Sequence, residues 1–242
     1  MKLLIGDDDP ASLELILKTL EGSGHEAVSV ANDEETWKQL SAENGRPNFV
    51  ILNSAAPNLK GLDLCKKFRA IPSLQYTYFM LMNGKSSQHE ILNILEAGAD
   101  DYLIKPINPE ELAVRVQIGQ RVLQNEEKLT KITQEWKIML DNLPFGIACL
   151  GSEGELKRAN RPFFELMGYR EMKALLNKKV GETIIRFPSD SAELLANIKA
   201  AQPFDRVEVD FVKRDSSVLK LCMWGRPISL NGVVFEIITS LA

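Results

Sequence analysis

The chain has little of what most metal, redox and export chemistry needs. Its 242 residues hold three cysteines and two histidines. Cys65, Cys149 and Cys222 lie far apart and form no CxxC pair, which excludes a zinc site of the usual spacing and a disulfide framework, and fits a reducing compartment. No apolar run is long enough to cross a membrane, and the opening MKLLIGDDDP meets three acids after a handful of residues. Neither a signal peptide nor membrane insertion is expected, and the expected location is the cytoplasm. Basic clusters are also missing. A net charge of −4 and a pI near 5.4 argue against counterion release from a polyphosphate, so nucleic acid is not expected as a partner. Proline and glycine are nearly absent from one long window: between Pro109 and Pro144 there is only Gly119.

What is present divides in two. Up to about residue 123, short apolar runs (KLLIG, EAVSV, NFVIL, YFMLM, DYLI) alternate with helical patterns, the last of which begins near Pro109. Five such units predict a doubly wound, five-stranded parallel sheet of flavodoxin-like type, with any site at the carboxyl ends of the strands. The window without proline then predicts one helix running to about Asp141. Its apolar residues Ile118, Val122, Leu129, Ile132, Trp136, Met139 and Leu143 recur at steps of four and three, with Asn125 in the same stripe. That is the seam of a coiled coil, which predicts a connecting helix over 124–141 and a homodimer contact. From residue 142 to 242 the pattern changes to an α+β alternation. A hairpin (FGIACL, SEGE, ELKRAN) precedes short helices at 161–167 and 171–176 and a longer one near 192–201, and three long strands separated by the turns RDSS and LNG close the chain.

Four groups fall at strand ends of the first region: Asp7 and Asp8, Asn53, Asn83, and Lys105 before Pro106. A carboxylate pair facing a lysine is the donor set for a hard cation beside a phosphoryl group. With AGADDYLIKP, and with Pro57 and Gly61 following position 53, Met1 to about Leu123 resembles the receiver domain of a two-component response regulator. The resemblance implies that Asn53 stands at the phosphoacceptor position, that Asp7 and Asp8 form the acidic pocket and a weakened Mg²⁺ site, that Lys105 is the receiver lysine, and that Asn83 and Tyr102 are the switch positions. The family has aspartate at 53 and a hydroxyl residue at 83. A carboxamide has no anionic oxygen to attack a phosphoryl donor, so the chain reads as a degenerate receiver, with Lys105 expected to bridge Asp8 and the Asn53 amide.

Residues 142–242 resemble a PAS domain through DNLPFGIACLGSEGELKRAN, RPFFELMGY and the closing strands. Phe163, Phe164, Met167 and Trp224 are expected to line its interior. His25 and His89 both lie in the first region, which excludes histidine-ligated haem in the second, and the ligand is otherwise unassigned. The implied function is a non-enzymatic signalling protein whose pseudo-receiver and PAS domain contact a kinase or an output protein. The alternatives are a phosphorylatable regulator carrying an engineered Asp-to-Asn change, and the sensory front of a histidine kinase or nucleotide cyclase.

Overall fold

The computed structural model describes all residues except 22–23, 55, 72–73, 85–86, 180–184, 187–191, 201, 231–232 and 242. Two compact units divide it, Met1–Thr130 and Lys131–Ala242.

In the first unit, strands β1 (Lys2–Gly6), β2 (Glu26–Val30), β3 (Phe49–Asn53), β4 (Tyr78–Asn83) and β5 (Asp101–Ile104) form a parallel sheet in the order β2-β1-β3-β4-β5. The helices between them are α1 (Pro10–Leu20), α2 (Asp33–Leu40), α3 (Gly61–Arg69) and α4 (Gln88–Glu96). The central strands are apolar on both faces because helices cover both. Leu3, Ile5, Phe49, Ile51 and Met80 belong to one core cluster, while Leu4, Val50, Leu52, Phe79 and Leu81 belong to another. This alternation puts successive residues on opposite faces and leaves only the strand ends for polar groups.

Helix α5 runs without a break from Pro109 to Asp141, 33 residues, or about 50 Å at 1.5 Å per residue. Its first half is anchored by Leu112, Val116, Gly119 and Leu123. Gly119 is there because a Cβ would lie 2.4 Å from the Phe49 ring and 2.8 Å from Tyr78. After Leu123 no residue of the helix is buried, and Leu129, Ile132, Trp136 and Met139 are each about half exposed or more. Leu143 lies beyond the helix end at Asp141 and so drops out of the expected stripe.

The second unit is a six-stranded antiparallel sheet in the order β7-β6-β11-β10-β9-β8. Its strands are β6 (Gly146–Leu150), β7 (Leu156–Ala159), β8 (Ile185–Arg186), β9 (Phe204–Val212), β10 (Val218–Leu230) and β11 (Val233–Leu241), with helices α6 (Arg161–Leu166) and α7 (Ala192–Lys199). The expected helix at 171–176 is a single 3-10 turn, Met172–Ala174, which ends before Asn177 at φ 60°. The expected turn at 231–232 lies outside the described residues. Phe163, Met167, Phe211, Leu221 and Met223 fill the core between sheet and helices, and the Phe163 and Phe211 rings meet edge to face at 6.4 Å.

Trp224 does not join them. Leu221 and Met223 point inward, so strand alternation puts Trp224 on the opposite face of β10, half buried and outside the core cluster. The expectation that it lines the interior is corrected.

Candidate functional site: an amide between two carboxylates

The run Asp7-Asp8-Asp9 ends β1, and its three acids take different tasks. Asp9 is the N-cap of α1: one oxygen accepts from the Ala11 N–H at 3.1 Å and the other from Ser12 Oγ at 2.7 Å, with Pro10 at the first helical position. Asp7 and Asp8 are left to face the crevice above β1 and β3.

Asn53, the last residue of β3, closes that crevice. Its Nδ2 donates to Asp7 Oδ1 at 3.0 Å and to Asp8 Oδ1 at 2.8 Å. A carboxamide nitrogen carries two protons, so one side chain supplies both bonds. The strand end is fixed from below: the Ser54 N–H donates to Met82 O at 2.8 Å, and the Leu62 N–H to Ser54 O at 3.2 Å. Gly61 opens α3 directly against this segment, where a Cβ would stand 2.3 Å from the Asn53 carbonyl oxygen. Glycine at 61 is therefore a requirement of close packing on Asn53.

Lys105, just past β5, brings its ammonium to 2.7 Å from both oxygens of Asp7. The Asp7 side chain has no solvent exposure, whereas Lys105 retains 19%. Oδ2 of Asp7 has no well-shaped hydrogen bond and is held by the charge of the ammonium. Burial works against ionisation of Asp7, but the hydrogen bonds from Lys105, Asn53 and the Asp9 N–H, together with the Lys105 charge, hold its carboxyl below the usual carboxylate range. The expected bridge from Lys105 to Asp8 and the amide is thus corrected. The lysine holds Asp7, and the amide itself does the bridging, because its two protons match two acceptors.

The other switch positions stand apart from this arrangement. Asn83 ends β4 and its carbonyl accepts from the Lys105 N–H at 2.9 Å; among the described residues its side chain makes no hydrogen bond to Asp8, Asn53 or Lys105. Tyr102 is half buried against the core cluster on its face of the sheet, with the Arg115 guanidinium 5.5 Å from its ring centroid.

A hard divalent cation needs oxygen ligands at close range. Here the face that Asn53 turns to both carboxylates is its N–H face, and among the described residues no group of three acidic, histidine or cysteine side chains converges on a point. In this arrangement the amide protons of Asn53 occupy the face between Asp7 and Asp8 where a cation would meet both carboxylates. Two carboxylates, one ammonium and a neutral amide leave the crevice with a charge of −1; an aspartate at position 53 would leave it at −2.

One further polar hub had no functional reading in the sequence. Asn160, 5% exposed, caps α6 by accepting from the Phe163 N–H at 3.2 Å, and also accepts from the Ile147 N–H at 2.8 Å. Its Nδ2 donates to Leu140 O at 2.9 Å and to Phe145 O at 3.0 Å. The end of α5 is thereby tied to the hairpin and α6. Asp141 adds a bond from the Arg161 N–H at 2.8 Å. The signal for this hub is Asn160-Arg161-Pro162, an N-cap followed by proline within the first turn.

Comparison with known proteins agrees with this architecture. The family described as response regulator receiver domain matches residues 3–117, and the family described as PAS domain matches residues 134–203. The alkaline phosphatase synthesis transcriptional regulatory protein PhoP of Bacillus subtilis is 34% identical over 115 residues, covering 48% of this chain and 46% of that protein. The DNA-binding response regulator MtrA of Mycolicibacterium smegmatis is 27% identical over 140 residues, covering 58% of each. The chain thus spans about half the length of these relatives. Coverage is longer against the "Probable transcriptional regulator ycf27" of Porphyridium aerugineum, 30% identical over 210 residues, 86% of this chain and 75% of that protein. Among solved structures, a two-component response regulator from Clostridium difficile is 31% identical over 50% of this chain and 96% of its own, with a TM-score of 0.44. The PAS domain of an HTR-like protein from Haloarcula marismortui is 19% identical over 48% and 95%, with a TM-score of 0.41.

These relatives overturn the expectation that nucleic acid is no partner, since several are DNA-binding or transcriptional regulators by name. Total charge is a poor guide to any one surface: residues 131–242 carry 16 Lys and Arg against 14 Asp and Glu, while residues 1–130 carry 13 against 19. No helix among the described residues is long and apolar enough to cross a membrane. With a receiver domain followed by a PAS domain, the chain belongs to the response regulator family.

Proposed function

We propose that this response regulator signals without phosphoryl transfer, its receiver held in one state by the amide of Asn53. The observation that carries the reading is the pair of bonds from Asn53 Nδ2 to Asp7 and Asp8. The amide takes the place between the carboxylates where a cation would otherwise be required, and it has no nucleophilic oxygen to form an acyl phosphate. Lys105, which could meet a phosphoryl oxygen, is instead paired with Asp7. The receiver then serves as a binding surface for a kinase or an output protein, not as an enzyme, and Mg²⁺ is not needed to hold its pocket closed.

The domain boundaries that follow are 1–123 for the receiver, 124–141 for the linking helix and 142–242 for the PAS domain, in a cytoplasmic protein. The exposed apolar series Leu129, Ile132, Trp136 and Met139 supports a homodimer through that helix and the PAS domain, because a seam of this spacing is buried by pairing with a second helix. Signals would enter through a PAS ligand or partner and change the pairing of the helix. The experiment is phosphoramidate labelling in the presence of Mg²⁺, read by intact mass. The native chain is expected to gain no phosphoryl group and Asn53→Asp to gain one; a single phosphoryl on the native first domain would overturn the proposal.

A further inference from the structure

The second unit carries a surface on which cations outnumber acids, with Asp215 beside Lys213 and Glu171 beside Arg170, and it stands independently of the receiver pocket. Tyr169 follows Gly168 at the end of α6, and its half-buried ring is flanked by two cations. Lys178 Nζ lies 5.6 Å from the ring centroid and the Arg214 guanidinium 5.9 Å. The site is built by three separate loops. The Arg214 N–H donates to Met167 O at 2.9 Å, the Tyr169 N–H to Phe164 O at 2.9 Å, and the Lys178 N–H to Leu175 O at 3.2 Å. Arg170, which follows Tyr169, and Lys173, in the 3-10 turn Met172–Ala174, are exposed with Glu171 between them, and Lys213 precedes Arg214 in the β9–β10 turn. Among the described residues, none of Arg170, Lys173, Lys178, Lys213 and Arg214 has a carboxylate within ion-pair distance. The adjacent acid Asp215 is engaged by the N–H and hydroxyl of Ser217, at 3.0 and 2.6 Å.

Some cations elsewhere in this unit are paired. Lys157 pairs with Glu155, Arg161 with Glu165, and Arg226 with Asp205. Like charges repel one another over about one Debye length, roughly 8–10 Å, and the quadrupole of one tyrosine offsets only part of that. Such a surface gains most from a polyanion. A protein partner of ordinary affinity needs a buried aromatic or aliphatic anchor; the Tyr169 ring is flanked by its own cations, and the groove beside Lys213, lined by Leu143, Pro144, Leu166 and Leu219, also holds Glu165. Phosphates need no such anchor, because counterion release from cation contacts supplies the affinity.

We propose that the cationic end of the PAS unit around Tyr169 binds the phosphate backbone of nucleic acid. The contacts are to phosphate and carry no base readout, so affinity is sequence-tolerant and depends steeply on salt.

The test uses the full chain and a fluorescein-labelled, mixed-sequence DNA duplex of about two helical turns, read by anisotropy across a salt series. Four phosphate contacts give a slope of log affinity on log salt near −3.6, at about −0.9 per contact. The double variant Lys178→Gln with Arg214→Gln is expected to weaken binding at least tenfold and to flatten the slope by about 1.8. Lys18→Gln with Lys66→Gln removes the same charge from exposed positions of the first unit and is expected to leave binding unchanged. Both doubles change exposed or half-exposed ends and are checked for folding by thermal melt. No duplex binding at low salt, equal losses in the two double variants, or tighter binding of polyglutamate than of duplex would each overturn the proposal.

Discussion

Replacing Asn53 by aspartate changes few atoms and inverts the electrostatics of the crevice. Two donor contacts, at 3.0 Å to Asp7 and 2.8 Å to Asp8, become contacts between carboxylates. A hydrogen bond to a charged group contributes about 1.5–3 kcal/mol. The full value applies to Asp7, which is sealed from solvent, and a value nearer 1 kcal/mol to the exposed Asp8. The new repulsion at about 4 Å lies between about 1 kcal/mol in water and 4 kcal/mol at an effective dielectric of 20. Together these give a destabilisation of about 3.5–8 kcal/mol, or about 10–30 °C in melting temperature for a domain of this size. The assay is thermal unfolding in EDTA and in millimolar Mg²⁺. Asn53→Asp should melt far below the native chain in EDTA and recover in Mg²⁺, while the native chain responds little to the cation. Asn53→Ala, which loses the donors without adding charge, should fall between them. A variant as stable as the native chain in EDTA, or a native chain that gains as much from Mg²⁺ as the variant, would refute the reasoning.

Other outcomes follow from the same contacts. Because Asp7 titrates below its ordinary range, its contribution is fully present above the unfolded-state value near 4 and is lost as pH falls through the lower folded-state value. Lys105→Met removes one hydrogen bond and the charge that oppose the effect of burial on Asp7, leaving the bonds from Asn53 and the Asp9 N–H, and should move this loss to higher pH, as read from melting temperature against pH. Gly119→Ala gains about 1 kcal/mol of helix propensity, but its Cβ meets the Phe49 ring at 2.4 Å. A net loss of up to about 2 kcal/mol is expected in denaturant titration, given that overpacking costs about 1–3 kcal/mol. Asn160→Ala strips four bonds from a buried hub and should cost about 2–4 kcal/mol, with faster amide exchange at the carboxyl end of α5. Trp136→Glu, in the exposed stripe, should shift sedimentation from dimer to monomer without lowering helix content.

The sheet of the first unit was legible because buried parallel strands leave continuous apolar runs, and LLI, FVIL and FMLM sit where β1, β3 and β4 lie. The meeting of Asp7, Asp8, Asn53 and Lys105 was legible too, since the carboxyl ends of neighbouring parallel strands must converge. Which acid takes the lysine was not. That depends on the depth of each carboxylate, and adjacent Asp7 and Asp8 differ in exposure through the direction of the chain as it leaves β1. The inward set of β10 was misjudged at Trp224 because size was read in place of parity; counting by twos from Leu221 puts Trp224 outside. The basic cluster at Tyr169 escaped notice because its members come from loops far apart in sequence and only folding assembles them.

The most direct test of the central claim is the NMR signal of the Asn53 side-chain amide. With both protons donated to carboxylates, the two Hδ2 resonances should lie away from their free-carboxamide positions, be protected from exchange and stay unmoved by Mg²⁺ or phosphoramidate. Collapse to the position of a free carboxamide, or a displacement that saturates with Mg²⁺, would contradict the amide-held receiver.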